Sequence, residues 1–397
     1  MKILFLMLEC PDLNTNSRNM YADLALEFKD EGHDVTVMAL STTSQTNIFE
    51  EGGLNIVRVD SMNSQATSNF LKKGIAYALM PYSYKQAYKR YLKNDSFDLI
   101  LMPTPPITLV DFVSYIKKKT QAKYYLILRD IHPHSFYGTG AIKNPFIFLF
   151  FNNKAQKAYK IADYIGCMSP RNIDFVKTIT SNLDPNKLKI LPNWVKDKNF
   201  EIPDFDIKEK YGLKDKYVAI YGGNLSIGQD VDNIISLAKH YLNNKEIAFL
   251  VVGKGMRKQY LMDQANENQL TNMIFLDHMP RYEYENLLAT ADIGLISLTE
   301  RYTVPTCPSK VISYMSQKIP VLAMINKNND YGQFYIDKSG CGLWSEGYDK
   351  KRTFANFEKL YKNIELRKQM SENGYTYYKK YLTSSHICKL ILKQIND

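Results

Sequence analysis

Short apolar runs alternate with segments of helical spacing along the whole chain. In the first half, apolar runs predict strands at 3–8, 33–37, 56–59, 99–102, 124–128 and 164–168. Between the first two runs, Met20, Leu24 and Phe28 recur at helical spacing, and Gly32 is a typical end for that helix. Strands that alternate with helices over connections of this length predict a parallel sheet.

The second half repeats this alternation in six ordered segments. They lie at 217–240, 248–256, 272–280, 287–297, 308–315 and 319–323. Each segment contains parts of one repeating unit. That unit consists of an apolar strand, then a turn with Gly, Pro or polar residues, and then a helix, and this order predicts a doubly wound sheet. Nucleotides bind such sheets at the carboxyl ends of the strands.

A domain boundary is expected near residues 193–213. Pro192 and Asn193 end a strand, and a charged, Pro-containing stretch without periodicity follows them. We therefore expect an α/β protein with one domain over 1–195 and a second over 196–375. A helical tail over 376–397 is expected to pack back on the first domain.

Composition narrows the partners. The 397 residues suffice for two cores, and the formal net charge of +10 favours nucleic acid, an anionic membrane surface or a phosphate-bearing substrate. A Lys-rich composition of the source organism is the simplest alternative. Five scattered cysteines indicate reduced thiols in the cytoplasm. The apolar N-terminus is short for a signal peptide, and no run reaches the roughly 18–20 apolar residues of a membrane span.

The six segments together resemble the donor-binding half of glycosyltransferase family 4. GHDVTV (32–37) and LPNWV (191–195) also match this family. The resemblance implies the GT-B fold, in which two Rossmann-like, doubly wound parallel-sheet domains face a cleft and a C-terminal helical tail follows. It implies an acceptor in the first domain and a nucleotide-sugar, UDP-linked, in the second. The expected reaction transfers the sugar with retention to a lipid-linked or polysaccharide acceptor, in capsule, O-antigen or exopolysaccharide synthesis, with no cofactor and no metal.

The resemblance assigns donor-binding residues to four turns of the second domain. They are Gly222, Gly223, Asn224, Gln229, Lys254, Arg257, His278, Ser309 and Lys310. Glycines after a strand let a backbone approach a diphosphate, and Lys254 or Arg257 would supply a cation. Plain turns and solvated surface charges are the alternatives, and the His278 side chain is as compatible with a structural role.

Lys310 is the most specific of these residues. Ser309 is a good candidate to cap the following helix, and a cation in the first turn opposes the helix dipole unless an anion lies in front of it.

The chain departs from the family pattern at the residues that bind the donor ribose. Many family members carry two glutamates eight positions apart around this helix, where this chain has Pro305 and Ser313. A hydroxyl or Lys310 would then replace the ribose-binding carboxylate.

Clustered ionisable residues follow the strand at 124–128. Such a cluster past a buried strand is typical of a catalytic loop. We expect Asp130 and His132 to be catalytic, with Arg129 as a phosphate or carboxylate partner on the acceptor side. The alternative is that His134 and one of the others only cap the next segment.

Two segments suggest a membrane surface. No acidic residue occurs from Ser61 to Asn94, where basic residues that include Lys85, Lys89 and Arg90 alternate with aromatic ones. The helix around Phe148 is apolar on every side, which suits either a lipid interface or a buried core. We expect a cytoplasmic protein held peripherally on the inner face of the cell membrane. The same residue types suit nucleic acid, but no nucleic-acid-binding module is recognisable, so that partner is not expected.

Two other functions remain compatible with the sequence. A GT-B nucleotide-sugar epimerase would share the fold and the donor site but would need no acceptor or membrane. A non-catalytic binding protein on the same scaffold would keep the fold while losing the chemistry.

Overall fold

The computed structural model describes residues 1–14, 18–43, 45–60, 70–138, 140, 142–199 and 207–397, with only the backbone at 70–73 and 207. The described chain divides into two compact units. Unit 1 contains Met1–Pro192 and Ser384–Asp397, and unit 2 contains Asn193–Thr383. Parts of two predicted segments, 61–69 of the acid-free stretch and 200–206 of the boundary, lie outside the described residues.

Unit 1 is built on one sheet of eight strands. They are β1 (Lys2–Leu6), β2 (Asp34–Leu40), β3 (Asn47–Glu51), β4 (Leu54–Val59), β5 (Leu99–Pro103), β6 (Lys123–Leu128), β7 (Tyr164–Cys167) and β8 (Leu188–Ile190). Their order is β3-β4-β2-β1-β5-β6-β7-β8. All neighbours are parallel except β3 and β4, which form an antiparallel pair at one edge. The periodicity predicted neither β3 nor its direction, because an exposed edge strand lacks a continuous apolar run.

Helices cover this sheet. They are α1 (Met20–Asp30), α2 (Phe70–Tyr91), α3 (Val110–Thr120), α4 (His134–Gly138), α5 (Pro145–Ile161) and α6 (Pro170–Ile179), with 3₁₀ turns at Ile107–Leu109 and Pro185–Lys187. The predicted apolar face of α1 is confirmed for Leu24 and Phe28, which are fully buried.

Unit 2 has a six-stranded parallel sheet. Its strands are β9 (Tyr217–Gly222), β10 (Ile247–Val252), β11 (Met273–Leu276), β12 (Ile293–Ser297), β13 (Val321–Ile325) and β14 (Gly342–Glu346). Their order, β11-β10-β9-β12-β13-β14, reverses between β9 and β12. This doubly wound topology, predicted from the six segments, is confirmed. The reversal leaves a crevice at the carboxyl ends of the central strands.

The helices of unit 2 pack on both faces of its sheet. They are α7 (Ile207–Lys210), α8 (Asp232–His240), α9 (Lys258–Glu267), α10 (Arg281–Leu288), α11 (Lys310–Ser316), α12 (Lys350–Lys362) and α13 (Ile364–Tyr381), with a 3₁₀ turn at Ile227–Gln229 and a π-helical turn at Gly332–Asp337.

The last helix, α14 (Ser384–Asn396), belongs to unit 1. Its apolar face is buried, and the Ser384 hydroxyl donates to Glu27 Oε1 of α1 at 2.7 Å. At its other end, Lys123 Nζ donates to the carbonyl of Ile395 at 2.7 Å. The closing helix of the chain is thus part of the structure that begins it.

None of the helices in the described ranges is both long enough and apolar enough to cross a bilayer.

Candidate nucleotide-binding pocket and catalytic loop

A cavity of about 270 Å³ opens at the carboxyl edge of the sheet in unit 2. It lies where the strand order reverses, which is the place that the topology favours for a ligand. Its lining comes from the ends of β9 and β10, the loop after β11 and the starts of α10 and α11. The lining residues are Gly222, Gly223, Val252, Gly253, His278, Met279, Arg281, Tyr284, Ser309, Lys310 and Ser313. This lining contains cations and hydroxyls but no carboxylate.

Two glycines form the floor because no side chain fits there. A Cβ on Gly222 would lie 1.8 Å from the hydroxyl oxygen of Tyr284, and a Cβ on Gly253 would lie 1.9 Å from the carbonyl oxygen of Gly223. The Gly223 amide donates to the Val252 carbonyl at 2.9 Å, which holds the two turns together. The floor is therefore backbone, which suits the close approach of a phosphate.

The side chain of Lys310 crosses the pocket wall. Its Nζ donates to Gln229 Oε1 and lies 5.0 Å from the ring centroid of Tyr221. A Cβ on Gly223 would lie 2.8 Å from the Lys310 Cε, so the glycine also makes room for this lysine. The ammonium thus has an amide oxygen and an aromatic face as partners, and an anion in the pocket would give it a counter-charge.

Burial lowers the pKa of Lys310 from 10.5 to about 8. Removal from water disfavours the ammonium, and its partners, an amide and a phenol ring, carry no negative charge that would restore it. A diphosphate beside Nζ would raise this pKa again and stabilise the charged form. The pocket consequently has a cation whose burial is unfavourable until an anion binds.

Tyr284 lines the pocket, and its hydroxyl lies beside that of the buried Tyr314. The hydroxyls of Tyr284 and Tyr314 are hydrogen-bonded to each other, and Tyr314 donates to the carbonyl of Leu295 at 3.1 Å. Burial raises the pKa of Tyr284 well above its ordinary value, so this phenol stays neutral. The pair joins α10 and α11 to β12 and gives the pocket a rigid polar side.

Four predicted donor residues do not line the pocket. Gln229 reaches it only through Lys310, and Asn224 is exposed, with its carbonyl accepting from Tyr221 at 3.0 Å. Lys254 is also exposed. The expectation for Arg257 needs correction. Its guanidinium is paired with Asp232, with Nη2 to Oδ1 at 3.1 Å, so its charge is already neutralised.

The other predicted donor residues, Gly222, Gly223, His278, Ser309 and Lys310, are brought together in the lining. The capping role expected of Ser309 is wrong, because its φ of −70° and ψ of −8° are helical and its side chain makes no cap hydrogen bond. Its hydroxyl is left for the pocket.

Sequence reasoning missed Arg281 and Tyr284, although both lie in the first turn of α10, directly after the predicted loop at His278. Arg281 Nε donates to Glu285 Oε1 at 2.9 Å, and Glu285 also pairs with Lys198. The helical spacing of Arg281, Tyr284 and Glu285 could have indicated that α10 presents one polar face.

The predicted catalytic loop lies at the carboxyl edge of the sheet in unit 1. Thr104, which follows β5, fixes its start: the Arg129 amide donates to Thr104 Oγ1 at 3.0 Å, and that hydroxyl donates to the Asp130 carbonyl at 3.1 Å. Burial raises the pKa of Asp130, and the charge of Arg129 opposes this shift. A carboxyl with a raised pKa in such a loop suits proton transfer.

Arg129 itself has a structural task, which corrects the expectation of an anion partner. The side chain is buried, and its Nη1 and Nη2 donate to the carbonyls of Leu191 and Pro192 at 2.7 and 3.3 Å. These contacts tie β6 to the segment that follows β8. The guanidinium thus binds backbone carbonyls, while its charge partly offsets the rise that burial causes in the pKa of Asp130.

His132 is enclosed by aromatic rings. Its ring centroid lies 4.6 Å from that of Phe151 and 5.0 Å from that of Phe136, and its buried Nδ1 has no hydrogen-bond partner. Burial, and then the nearby His134, lower the pKa of His132 to about 4. The imidazole is thus neutral at physiological pH, and the same burial makes it a weak base.

His134 lies in an equivalent aromatic setting, 5.2 Å from Phe148 and 5.9 Å from Phe175 by ring centroids. Asn144 caps α5, because its Oδ1 accepts from the Phe146 and Ile147 amides at 2.8 and 3.3 Å. The inner face of α5 therefore packs on the histidine loop.

The two segments predicted to face a membrane are helical. In α2, Lys89 and Arg90 are exposed, whereas Lys85 Nζ lies 4.3 Å from the ring centroid of Tyr115. In α5, Phe148 is partly buried. Its neighbours on either side are exposed, so the alternative of a buried core helix is excluded.

Within the described residues, no three His, Cys, Asp or Glu side chains converge in a way that could hold a metal ion.

A parallel sheet with a backbone-floored, cationic pocket at its topological switch point is the usual setting of a nucleotide site in doubly wound proteins. Residues 204–377 match the family model described as "Glycosyl transferases group 1". The match assigns nearly all of unit 2 to that domain family.

Curated relatives agree with that assignment. The chain is 26% identical over 252 residues to WbjE of Pseudomonas aeruginosa, whose name describes a glycosyltransferase, and this covers 62% of the chain and 61% of WbjE. It is 24% identical over 211 residues to WcaI of Escherichia coli, whose name describes a glycosyl transferase of colanic acid biosynthesis, covering 50% and 49%. The chain thus aligns with less than two thirds of the length of either relative.

Solved structures share the fold over the whole chain. Sucrose-phosphate synthase of Thermosynechococcus elongatus has a TM-score of 0.77 at 12% identity and covers 100% of this chain and 98% of that one. HepE of Anabaena, solved in complex with UDP and glucose, has a TM-score of 0.73 at 13% identity, with 100% and 99% covered. These similarities extend the GT-B architecture to both units.

The desolvation of Lys310 predicts that this residue lowers the stability of the ligand-free protein while it favours the binding of an anion. We expect Lys310→Met to stabilise unit 2 without ligand by about 1–3 kcal/mol at pH 7, because it removes a desolvated charge. The gain should shrink as the pH rises from about 8, where Lys310 loses its proton in the folded protein, towards 10.5, where it also loses its proton in the unfolded chain. Urea unfolding followed by tryptophan fluorescence measures this, since Trp194 and Trp344 both belong to unit 2.

Lys254→Met is the matched control for this experiment, because it removes the same charge from an exposed position. It should leave the free energy of unfolding unchanged. Equal effects of the two substitutions, or a loss of stability in Lys310→Met at pH 7, would contradict the desolvation argument.

Proposed function

We propose that this chain is a glycosyltransferase that moves a sugar from a nucleotide-sugar donor to a lipid-linked or polysaccharide acceptor. The observation that carries the proposal is Lys310, a partly buried cation whose partners among the described residues are uncharged, in a pocket that is floored by glycine backbone. A diphosphate supplies the missing negative charge, and Gly222, Gly223 and Gly253 leave room for it. The donor is UDP-linked, and HepE has been solved in complex with UDP-glucose.

The donor diphosphate is held mainly by Lys310. The Ser309 and Ser313 hydroxyls lie in the same lining and provide further hydrogen bonds. Ser313 takes the position where the family carries a ribose-binding glutamate, so a hydroxyl replaces that carboxylate. In the transfer step, negative charge develops on the leaving diphosphate as the bond to the sugar breaks. A fixed ammonium beside it stabilises that charge more than it stabilises the bound donor.

The acceptor is activated by the loop of unit 1. His132 is neutral over the physiological range and its Nδ1 has no hydrogen-bond partner in the structure, so it can accept a hydrogen bond from the attacking hydroxyl. Asp130, two residues before His132, orients the reacting sugar. The reaction proceeds with retention, and the departing diphosphate itself guides the acceptor hydroxyl.

The acceptor side carries the membrane part of the proposal. The exposed Lys89 and Arg90 of α2 attract anionic headgroups, and Lys85 adds to this charge. The protein accordingly works in the cytoplasm, peripherally on the inner face of the cell membrane. The pathway is the assembly of an envelope polysaccharide such as capsule, O-antigen or exopolysaccharide, in line with the colanic acid pathway in the name of WcaI.

A thermal-shift panel with UDP, GDP, ADP, CMP and their common sugar conjugates tests the donor site. A ligand at 100 times its dissociation constant should stabilise the fold by about 2.7 kcal/mol. We expect UDP and one UDP-sugar to give the largest shifts. Lys310→Ala should weaken that binding by about 1–3 kcal/mol, as for a lost charge-assisted hydrogen bond. Unchanged affinity in Lys310→Ala, with Lys254→Ala as control, would remove the pocket from the proposal.

Asp130→Asn should reduce turnover strongly and leave donor binding intact, because it removes an ionisable group of unit 1 without touching the pocket in unit 2. Release of nucleotide from the donor measures turnover, and the thermal-shift affinity measures binding. Asp98→Asn, at the opposite edge of the same sheet, is the control. If Asp130→Asn lowers turnover and nucleotide affinity together, Asp130 is structural.

Replacing Lys85, Lys89, Arg90 and Lys93 with Gln should release the protein from anionic vesicles at low salt. The electrostatic attraction is about 1 kcal/mol for each basic residue near the surface. Cosedimentation with vesicles measures the loss. A variant with Gln at Lys245, Lys350, Lys351 and Lys359 of unit 2 loses the same charge from exposed positions and should still bind. Equal loss in both variants would show attraction by net charge alone.

A further inference from the structure

The outer face of α4 and α5 exposes large apolar side chains to solvent. Phe136, Tyr137, Phe146, Ile147, Leu149 and Phe150, which we call the apolar tip, are between 38% and 80% exposed. Phe146, at the start of α5, is the most exposed of these. So many large apolar side chains in one stretch mark a surface that is covered in the working protein.

The inner face of the same helix is committed to the histidine loop. Phe151 packs on His132 and Phe148 packs on His134, with ring centroids 4.6 and 5.2 Å apart. Tyr137 also contacts Phe148 at 5.0 Å. One short helix therefore joins the apolar tip on its outside to the proposed acceptor loop on its inside.

The topology gives α2 and α5 the same polarity. Each helix leads into a strand of the parallel sheet, α2 into β5 and α5 into β7, so each begins at the carboxyl edge. The first part of α2 also exposes apolar residues, Ile75, Leu79 and Tyr82. Both helices thus expose apolar side chains in their first halves, and α2 also carries Lys72 and Lys73 in its first turn.

The sequence around the apolar tip contains basic residues but no acidic ones. From Ile131 to Ala162 there is no Asp or Glu, and Lys143 and Lys160 are exposed. The acidic side chain that meets α5 from another element is Asp111 of α3, which is neutralised by Lys154 and Lys157. An apolar helix end with a cationic surround is complementary to an anionic bilayer interface, where acyl chains lie beneath negative headgroups.

We propose that the apolar tip inserts into the interface of an anionic lipid bilayer and so presents the His132 loop at the membrane surface. Insertion implies that the acceptor is lipid-linked rather than a free polysaccharide, and this consequence rests on the proposed function. Insertion buries the outer face of α4 and α5 while their inner face keeps the loop in place. The basic residues of α2 contribute attraction, and the tip contributes the burial that salt does not screen.

A tryptophan reporter tests insertion directly. Phe146→Trp is compared with Tyr348→Trp, which places the same reporter on an exposed aromatic position of unit 2. On vesicles of phosphatidylcholine and phosphatidylglycerol, we expect emission from Phe146→Trp to move to shorter wavelength and to be quenched by lipids brominated in the upper acyl chain. Tyr348→Trp should show neither change. No shift for Phe146→Trp on vesicles that retain the protein would overturn the proposal, as would a failure to bind vesicles.

The double variant Phe146→Ser with Phe150→Ser separates the tip from the basic residues. It should raise the lipid concentration for half-maximal binding at least tenfold at both low and high salt, whereas the effect of the α2 Gln variant should disappear at high salt. If lipid-free protein is instead a dimer that this double variant dissociates, the tip is an interface between two copies and the proposal fails. The nucleotide panel needs no vesicles, so a failed donor site and a failed membrane contact are told apart.

Discussion

A partly buried lysine whose partners among the described residues are uncharged is the constraint on which the pocket of unit 2 depends. Lys310 is tolerated because Gly223 leaves space for its side chain, while Gln229 and Tyr221 offer weaker partners than a carboxylate. An acidic partner would stabilise the lysine and cancel its attraction for an anion. The protein accepts lower stability in the empty pocket, and binding of an anion returns it.

Much of the fold was accessible from the sequence because it depends on local patterns. Apolar runs separated by helical segments predicted the sheets, and the resemblance led to Lys310, which the structure places in the lining of a pocket. The strand β3 was missed because its side chains are mostly exposed and carry no apolar pattern. The return of α14 to the first unit was an expectation that only the resemblance supported.

The errors share a physical cause, which is that a side chain's partner is set by distant parts of the chain. Arg257 is neutralised by Asp232 from the preceding helix, and Arg129 is occupied by carbonyls that lie some sixty positions further on. Motif position indicates that a basic residue is near a site, but it does not reveal whether its charge is free. Tyr284 was missed because its hydroxyl occupies the space that a Cβ at Gly222 would need, and the sequence does not show that these two residues meet.

The chain's path has a consequence for its synthesis. Unit 2 is one continuous segment, whereas unit 1 is closed by the final helix, α14. During synthesis, unit 2 is complete before α14 emerges, and unit 1 must wait for that helix. A chain that stops before α14 would therefore contain a finished unit 2 and an unfinished unit 1, whose uncovered α1 surface is a target for quality control.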